Sequence, residues 1–223
     1  MKYIFFWVSI PLFGLFCSPS TPPNKQYLEC YVRYLAPEGQ LSVEATFREK
    51  TPGQTTLRQI EMPPDVKYNG ETMQPVKIQG ISCRLVRPGD YLAKHEFTWA
   101  GPQNRQLTFG TEMAPVTTFG FESAGITRDT PATLRWEGGP LDRGEILVLL
   151  WERAEGNLTV PMEITGTPGM RSVVFPAVKL KELEPGDWTL YLVRKKAVRT
   201  DVGGVEASAL FEYYSRVIPV TVR

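Results

Sequence analysis

A single histidine, His95, serves all 223 residues. That scarcity removes most of the usual catalytic arrangements. A Ser-His-Asp triad would have to be built on this one side chain, and no G-x-S-x-G turn accompanies it. Zinc sites draw on several Cys or His ligands at short spacing, and the chain has none. Phosphate-binding, dinucleotide-binding and EF-hand patterns are also missing, so no metal or cofactor is expected. Neither sign of charge is in excess. The 25 Lys and Arg against 24 Asp and Glu are interspersed, which gives no basic footprint for nucleic acid and no acidic tail. His95 shares a face with Tyr91, Ala93, Phe97 and Trp99 in a period-two pattern, the position of a satisfied core side chain and not of a base.

Cysteine is nearly as scarce, at three residues. Cys17 closes an apolar run over residues 3–16 that follows Lys2, and Ser18, Pro19, Ser20, Thr21, Pro22 and Pro23 come directly after it. The run is too short to cross a bilayer core, which takes roughly 20 helical residues. A positive start, a short apolar core and a small, polar exit make residues 1–16 (or 1–20) a secretory signal peptide, with residues 17–26 as a tether. Leu15-Phe16-Cys17-Ser18 resembles a bacterial lipoprotein cleavage site, which implies lipid on Cys17 and a membrane anchor; Phe16 stands where that site usually has a small residue. The other route is an ordinary cleavage around Ser18-Pro19-Ser20. Both routes export the protein, to a cell envelope (outer membrane or periplasm) or beyond. Cys30 and Cys83 then remain. Both fall on apolar faces of alternating strands, placed either to form a disulfide or to stay as two buried thiols.

Helical periodicity is almost absent; the stretch around Lys179, Leu180 and Leu183 supplies about one turn. Strand signals fill the rest. Leu28, Cys30, Val32 and Tyr34 alternate with polar neighbours, then Leu41, Val43, Ala45 and Phe47 do the same beyond a Pro37-Glu38-Gly39 turn, which predicts a hairpin. Asn69-Gly70 predicts a two-residue turn, and residues 78–86 and 91–99 read as another hairpin around Pro88-Gly89. Residues 145–153 and 188–194 are apolar on both faces, as central strands are. With 19 glycines and 19 prolines punctuating these runs, the expectation is an all-β chain of two β-sandwich domains, residues 27–115 and 117–223.

Leu180-Lys181-Glu182-Leu183-Glu184-Pro185-Gly186-Asp187-Trp188-Thr189-Leu190-Tyr191-Leu192 resembles the corner before a late strand in immunoglobulin-like and fibronectin-like domains. Together with Tyr213-Tyr214-Ser215-Arg216 and the valine-rich end, the chain resembles a group of bacterial secreted proteins and lipoproteins with such sandwiches. The resemblance implies a fold and no activity. No Trp stands between Cys30 and Cys83, so the immunoglobulin likeness is one of shape.

Two surface features are candidates for binding. Arg194, Lys195, Lys196 and Arg199 cluster where a late strand is expected to run out into a loop over residues 200–206. Tyr27 and Tyr31 take the polar face of the first strand, and Tyr213 or Tyr214 must point outward. Glu137, Glu145, Glu152 and Glu155 are the carboxylates a glycosidase mechanism would draw on, although wet faces and loop tips account for them far more simply. The expected function is a non-catalytic exported module that works by protein–protein contact with an envelope partner. The alternatives are a carbohydrate-binding module and a carboxylate-dependent glycan-active enzyme.

Overall fold

The computed structural model describes residues 24–77, 81–101, 104–153, 155 and 158–223; the segment expected to direct export, with Cys17, lies outside the described residues. The first half runs through β1 (Lys25–Leu35), β2 (Gln40–Lys50), β3 (Arg58–Gln59), β4 (Lys67–Tyr68) and β5 (Glu71–Thr72). It continues with β6 (Gln74–Lys77), β7 (Ile81–Pro88), β8 (Lys94–Ala100) and β9 (Gln106–Glu112). The second half holds β10 (Val116–Phe121), β11 (Ala132–Gly138), β12 (Glu145–Arg153), β13 (Leu158–Thr165) and β14 (Ser172–Phe175). A helical turn α1 (Ala177–Leu180) precedes β15 (Gly186–Val202), β16 (Val205–Tyr214) and β17 (Ile218–Val222).

Among the described residues these strands form three sheets. A ten-stranded sheet runs β13-β12-β15-β16-β1-β2-β7-β6, with β17 beside β15 and β3 beside β2; a four-stranded sheet runs β5-β4-β8-β9 and a three-stranded one β10-β11-β14. The two smaller sheets lie on one face of the large one. Phe47 of β2 meets Trp99 of β8 with ring centroids 6.0 Å apart, and Phe211 of β16 meets His95 at 4.8 Å. In the second half Phe121 of β10 packs on Trp151 of β12 at 5.7 Å. Trp136, Trp151 and Trp188 are buried in this core. The period-two alternation read from the sequence thus decides which side of each long strand is dry.

Strand β15 organises the large sheet. Its 17 residues extend about 55 Å at strand rise, longer than one sandwich is deep. Residues 186–190 pair with β17, and residues 193–202 pair with β16. Buried Ser215 covers the change of neighbour: its N–H donates to the Leu192 carbonyl (2.9 Å), and its hydroxyl oxygen accepts from the Leu192 N–H (2.8 Å). Beyond, the β15–β16 hairpin closes through Gly203 and Gly204, whose φ of 61° and 88° suit a two-residue turn between twisted strands. A Cβ on Gly203 would sit 2.5 Å from the Arg105 guanidinium and 2.9 Å from a Leu107 methyl, so the hairpin tip rests against β9.

Two expectations change here, and a third point, left open by the sequence, is decided. Strand β16 lies parallel to β1 from Gln26↔Val205 to Leu35↔Tyr214, so the large sheet crosses the boundary expected near residue 116, and residues 27–115 and 117–223 do not build separate sheets. The cause is the length of β15, which carries β16 out of its own half. The second correction concerns the hairpin expected over residues 78–99: among the described residues β7 and β8 do not pair. β7 belongs to the large sheet and β8 to the four-stranded one, and the Pro88-Gly89 corner carries the chain between layers. That corner is held by the Gly89 N–H donating to the Gly39 carbonyl and by the Tyr34 hydroxyl donating to the Gly89 carbonyl (3.0 Å).

Third, Cys30 and Cys83 are free, buried thiols. Both stand opposite Ala45, one on either side of it, which puts them two strands apart. Two inter-strand spacings are about 9.6 Å, beyond the roughly 7 Å a disulfide spans between Cα atoms. Burial raises the pKa of both thiols, for Cys30 well above its ordinary value. A thiol-reactive disulfide reagent is therefore expected to leave both unmodified in the native protein and to titrate both in guanidinium. Rapid native reaction at either would show that this sheet opens locally.

Candidate binding face

With both small sheets on its inner side, the large sheet has, among the described residues, no further sheet packed on its other side, where Val148 and Val193 are nonetheless buried. Alternation puts Tyr191, Val193, Lys195, Ala197 and Arg199 of β15 on that outward side, with Tyr214, Glu212 and Leu210 of β16 and Tyr31 and Arg33 of β1. In register, Glu212 lies between Lys195 and Arg33.

Glu212 is the hub. Its Oε2 accepts the Tyr31 hydroxyl at 2.5 Å and the Tyr214 hydroxyl at 3.0 Å, while Lys195 Nζ stands 3.3 Å from Oε1. Only 7 % of Glu212 is exposed, because these side chains lie over it. Next along, the Tyr191 hydroxyl donates to Glu152 at 3.1 Å, and the Tyr191 and Tyr214 rings lie 6.4 Å apart, inclined by 29°. A tyrosine whose hydroxyl bonds to a carboxylate on the same sheet face has to recline along the sheet. All three tyrosines are half-buried. The hydroxyls are acidic groups held neutral: burial first, then Glu212, pushes Tyr31 far up and Tyr214 up to about 12, and burial with the Glu152 bond raises Tyr191.

The basic cluster expected on a loop lies instead within β15, and alternation splits it. Arg194 and Lys196 turn inward, and Lys195 and Arg199 outward. Arg194 is 3 % exposed and Tyr213 is 6 % exposed, so neither contributes to an exposed surface, contrary to the sequence expectation. The Arg194 guanidinium pairs with buried Glu145 and donates to the carbonyls of Gly139 (2.9 Å) and Pro140 (2.6 Å). Lys196 donates to the Glu112 carbonyl at 2.6 Å, and Arg199 pairs with Glu206. Of the eight residues named as binding candidates, Tyr27, Tyr31, Lys195, Arg199 and Tyr214 share the outward face. Glu212, Arg33 and Tyr191 escaped the sequence analysis. Alternation puts each on a wet face, but Tyr31 meets Glu212 across 181 residues of chain, and no local pattern announces that pairing.

The carboxylates are engaged in bonds of their own. Glu137 accepts the Thr118 hydroxyl at 2.8 Å, Glu155 accepts from Arg153 at 3.2 Å, and Glu145 is held by Arg194. A depression of about 520 Å³ brings Glu152 and Asp187 to one lining with Arg153 and Pro219; there Asp187 accepts the Thr221 hydroxyl at 2.8 Å. Among the described residues, no group of three or more His, Cys, Asp or Glu is placed to hold a metal ion.

His95 is fully buried and satisfied on both nitrogens. The Tyr91 hydroxyl donates to the Met113 carbonyl (2.7 Å), which leaves its oxygen to accept from His95 Nε2–H (3.0 Å). Nδ1 then accepts the Tyr68 hydroxyl at 2.6 Å, and this chain of bonds assigns the neutral Nε2–H tautomer. Burial first, then the Lys196 charge, lowers its pKa to about 4. Because the folded value lies below the unfolded one, the associated stability is complete above the unfolded pKa of about 6.5. It falls away as pH drops toward about 4, by roughly 3 kcal/mol in total. The imidazole proton resonances, readily assigned with one histidine, are expected to hold their neutral-form shifts to below pH 5. A midpoint near 6.5 would mean that His95 is hydrated and the bond chain broken.

Comparison with known proteins finds alignments to solved structures at low similarity. No family model matches the chain, and no curated protein does. The FN1–FN3 domains of chicken CNTN1 align over 90% of this chain and 67% of their own at 12% identity, with a TM-score of 0.24. The fibronectin(III)-like modules of Clostridium thermocellum CbhA align over 85% of this chain and 89% of theirs at 7% identity, with a TM-score of 0.23.

Proposed function

We propose that the chain is an exported, non-catalytic binding module, held to a membrane through lipid on Cys17. In this reading its contact surface, for an envelope protein or glycan, is the outward face of the large sheet. One observation carries this proposal. Among the described residues no other sheet packs on that face, and Tyr31, Tyr214 and Tyr191 are fixed in place by Glu212 and Glu152 before any ligand arrives. Fixed side chains have less freedom to lose on binding, which favours contact. Leu210, 37 % exposed, and Val86, 47 % exposed, extend the apolar part of the face.

The test uses the full chain in its own envelope, with a photo-crosslinking residue at position 210 or, as a control, at Val174, exposed on the three-stranded sheet. A discrete adduct from 210 and none from 174 is the expected result. Adducts from 174 alone would move the contact surface elsewhere. Turnover of a glycan that disappears in Glu152→Gln would replace the binding module with an enzyme. Intact-mass measurement of the mature chain tests the anchor separately, with an acylated Cys17 expected and an unmodified start after Ser20 against it.

A further inference from the structure

Cys30 of β1 and Cys83 of β7 each stand opposite Ala45 of β2, so the three residues form one row of the large sheet. All three are buried in the core, with exposures of 6 %, 4 % and 0 %. The row continues to Ala209 of β16 beside Cys30 and to Pro75 of β6 beside Cys83, so a paired strand closes each thiol on both sides. A disulfide holds its Cβ atoms about 3.5–4.5 Å apart, whereas two strand spacings hold this pair at roughly 9.6 Å. Joining the sulfurs therefore means lifting β1 or β7 off β2, in the middle of the large sheet.

Chain order leaves a long interval in which that bond can form. Cys30 lies near the start of the chain, and its last cover, β16, is the last strand but one. Until β16 pairs with it, β1 is an open edge. A pairing between the two ends of a chain is slow, because the loop has to close before the contacts reward it. Meanwhile both thiols keep an ordinary pKa, which leaves some reactive thiolate at neutral pH. Burial in the finished sheet raises both and removes it.

We propose that folding of this chain is gated by redox state: it reaches the native sheet only as the dithiol, and a Cys30–Cys83 disulfide formed in the open chain holds it out. The chemistry is thiol–disulfide exchange. One cysteine thiolate attacks a disulfide oxidant and releases one of its thiols. The second cysteine then displaces the other, so the protein gives up two protons and two electrons and the oxidant takes them. A dithiol reductant reverses both steps and returns the chain to its folding route. The partner implied is an envelope dithiol that reduces or reshuffles disulfides, a consequence that rests on the export reading.

The experiment uses the full chain with Cys17→Ser, whose remaining cysteines are Cys30 and Cys83. It is unfolded in guanidinium and either kept reduced or oxidised with oxidised glutathione, and the monomer whose intact mass has lost two hydrogens is isolated. Both forms are then diluted from guanidinium. His95 packs on Phe211 of β16, so its imidazole resonance reports that the two ends of the chain have met. The reduced form is expected to recover that resonance and a cooperative thermal transition. The disulfide form should lose both, and dithiothreitol should restore both. A chain carrying Cys30→Ala and Cys83→Ala as well should refold after either treatment. A disulfide form that shows the native resonance and transition with its mass unchanged overturns the proposal. Failure of dithiothreitol to rescue it does the same, since the damage then lies outside the bridge. These outcomes do not depend on export: an uncleaved leader by intact mass would remove the envelope reductant and leave the gate.

Discussion

Residues 117–223 expressed alone are expected to show no cooperative unfolding transition, whereas the whole chain shows one. Removing the first half strips β1 from the entire length of β16, from Val205 to Tyr214. It exposes the inward side chains Val205, Ala207, Ala209, Phe211 and Tyr213, all buried in the intact protein. Phe211 loses His95, and Tyr213 loses Tyr34 and Tyr91, whose rings lie 5.7 Å and 4.9 Å away. At about 1.5–3 kcal/mol for each large apolar side chain returned to water, the loss is on the order of 5–10 kcal/mol, comparable with the whole stability of a typical domain. A ten-residue strand edge would also be left open to aggregation. Far-ultraviolet circular dichroism against temperature, with light scattering, measures this. A sharp, reversible transition in the fragment would mean that the second half holds together without the shared sheet.

The limits of the sequence follow the same lines. What alternation encodes was legible: the β1–β2 hairpin, the Asn69-Gly70 turn, the dry faces carrying Leu28, Val32, Leu147 and Leu149, the buried tryptophans and the satisfied His95. These depend on neighbours in the chain, and period two reports them. What depends on partners far along the chain was not legible. A parallel pairing between residues 25–35 and 205–214 has no turn to announce it, and the Pro88-Gly89 corner reads alike whether it closes a hairpin or changes layers. Arg194 is the clearest case. In sequence it heads a run of three cations and looks solvated; in the fold, β15 continues through the run, so every second cation turns inward to a carboxylate or carbonyl.

Glu145→Ala is expected to destabilise the protein by about 3–5 kcal/mol, the cost of leaving a buried charge without its partner. Glu145 and Arg194 are almost wholly excluded from water, with side-chain exposures of 2% and 3%. Glu145 Oε2 also accepts the Asp142 N–H at 3.1 Å, and Lys196 Nζ lies 3.6 Å from Oε1. The pair sits where the chain passes from one half to the other. Arg194 grips the Gly139 and Pro140 carbonyls, Gly139 donates its N–H to the Pro115 carbonyl (2.9 Å), and Lys196 holds the Glu112 carbonyl. The fit is close: a Cβ on Gly139 would come within 2.3 Å of the Ala114 Cβ and 2.8 Å of the Arg194 guanidinium. Arg194→Met should cost a similar amount, by stranding Glu145 and the two carbonyls. The double variant Glu145→Leu with Arg194→Met should recover part of the sum, because no unpaired charge then remains buried. Urea midpoints of the four proteins measure this cycle. Two small, additive losses would mean that water reaches the pair and that it does not fasten the junction beneath the shared sheet.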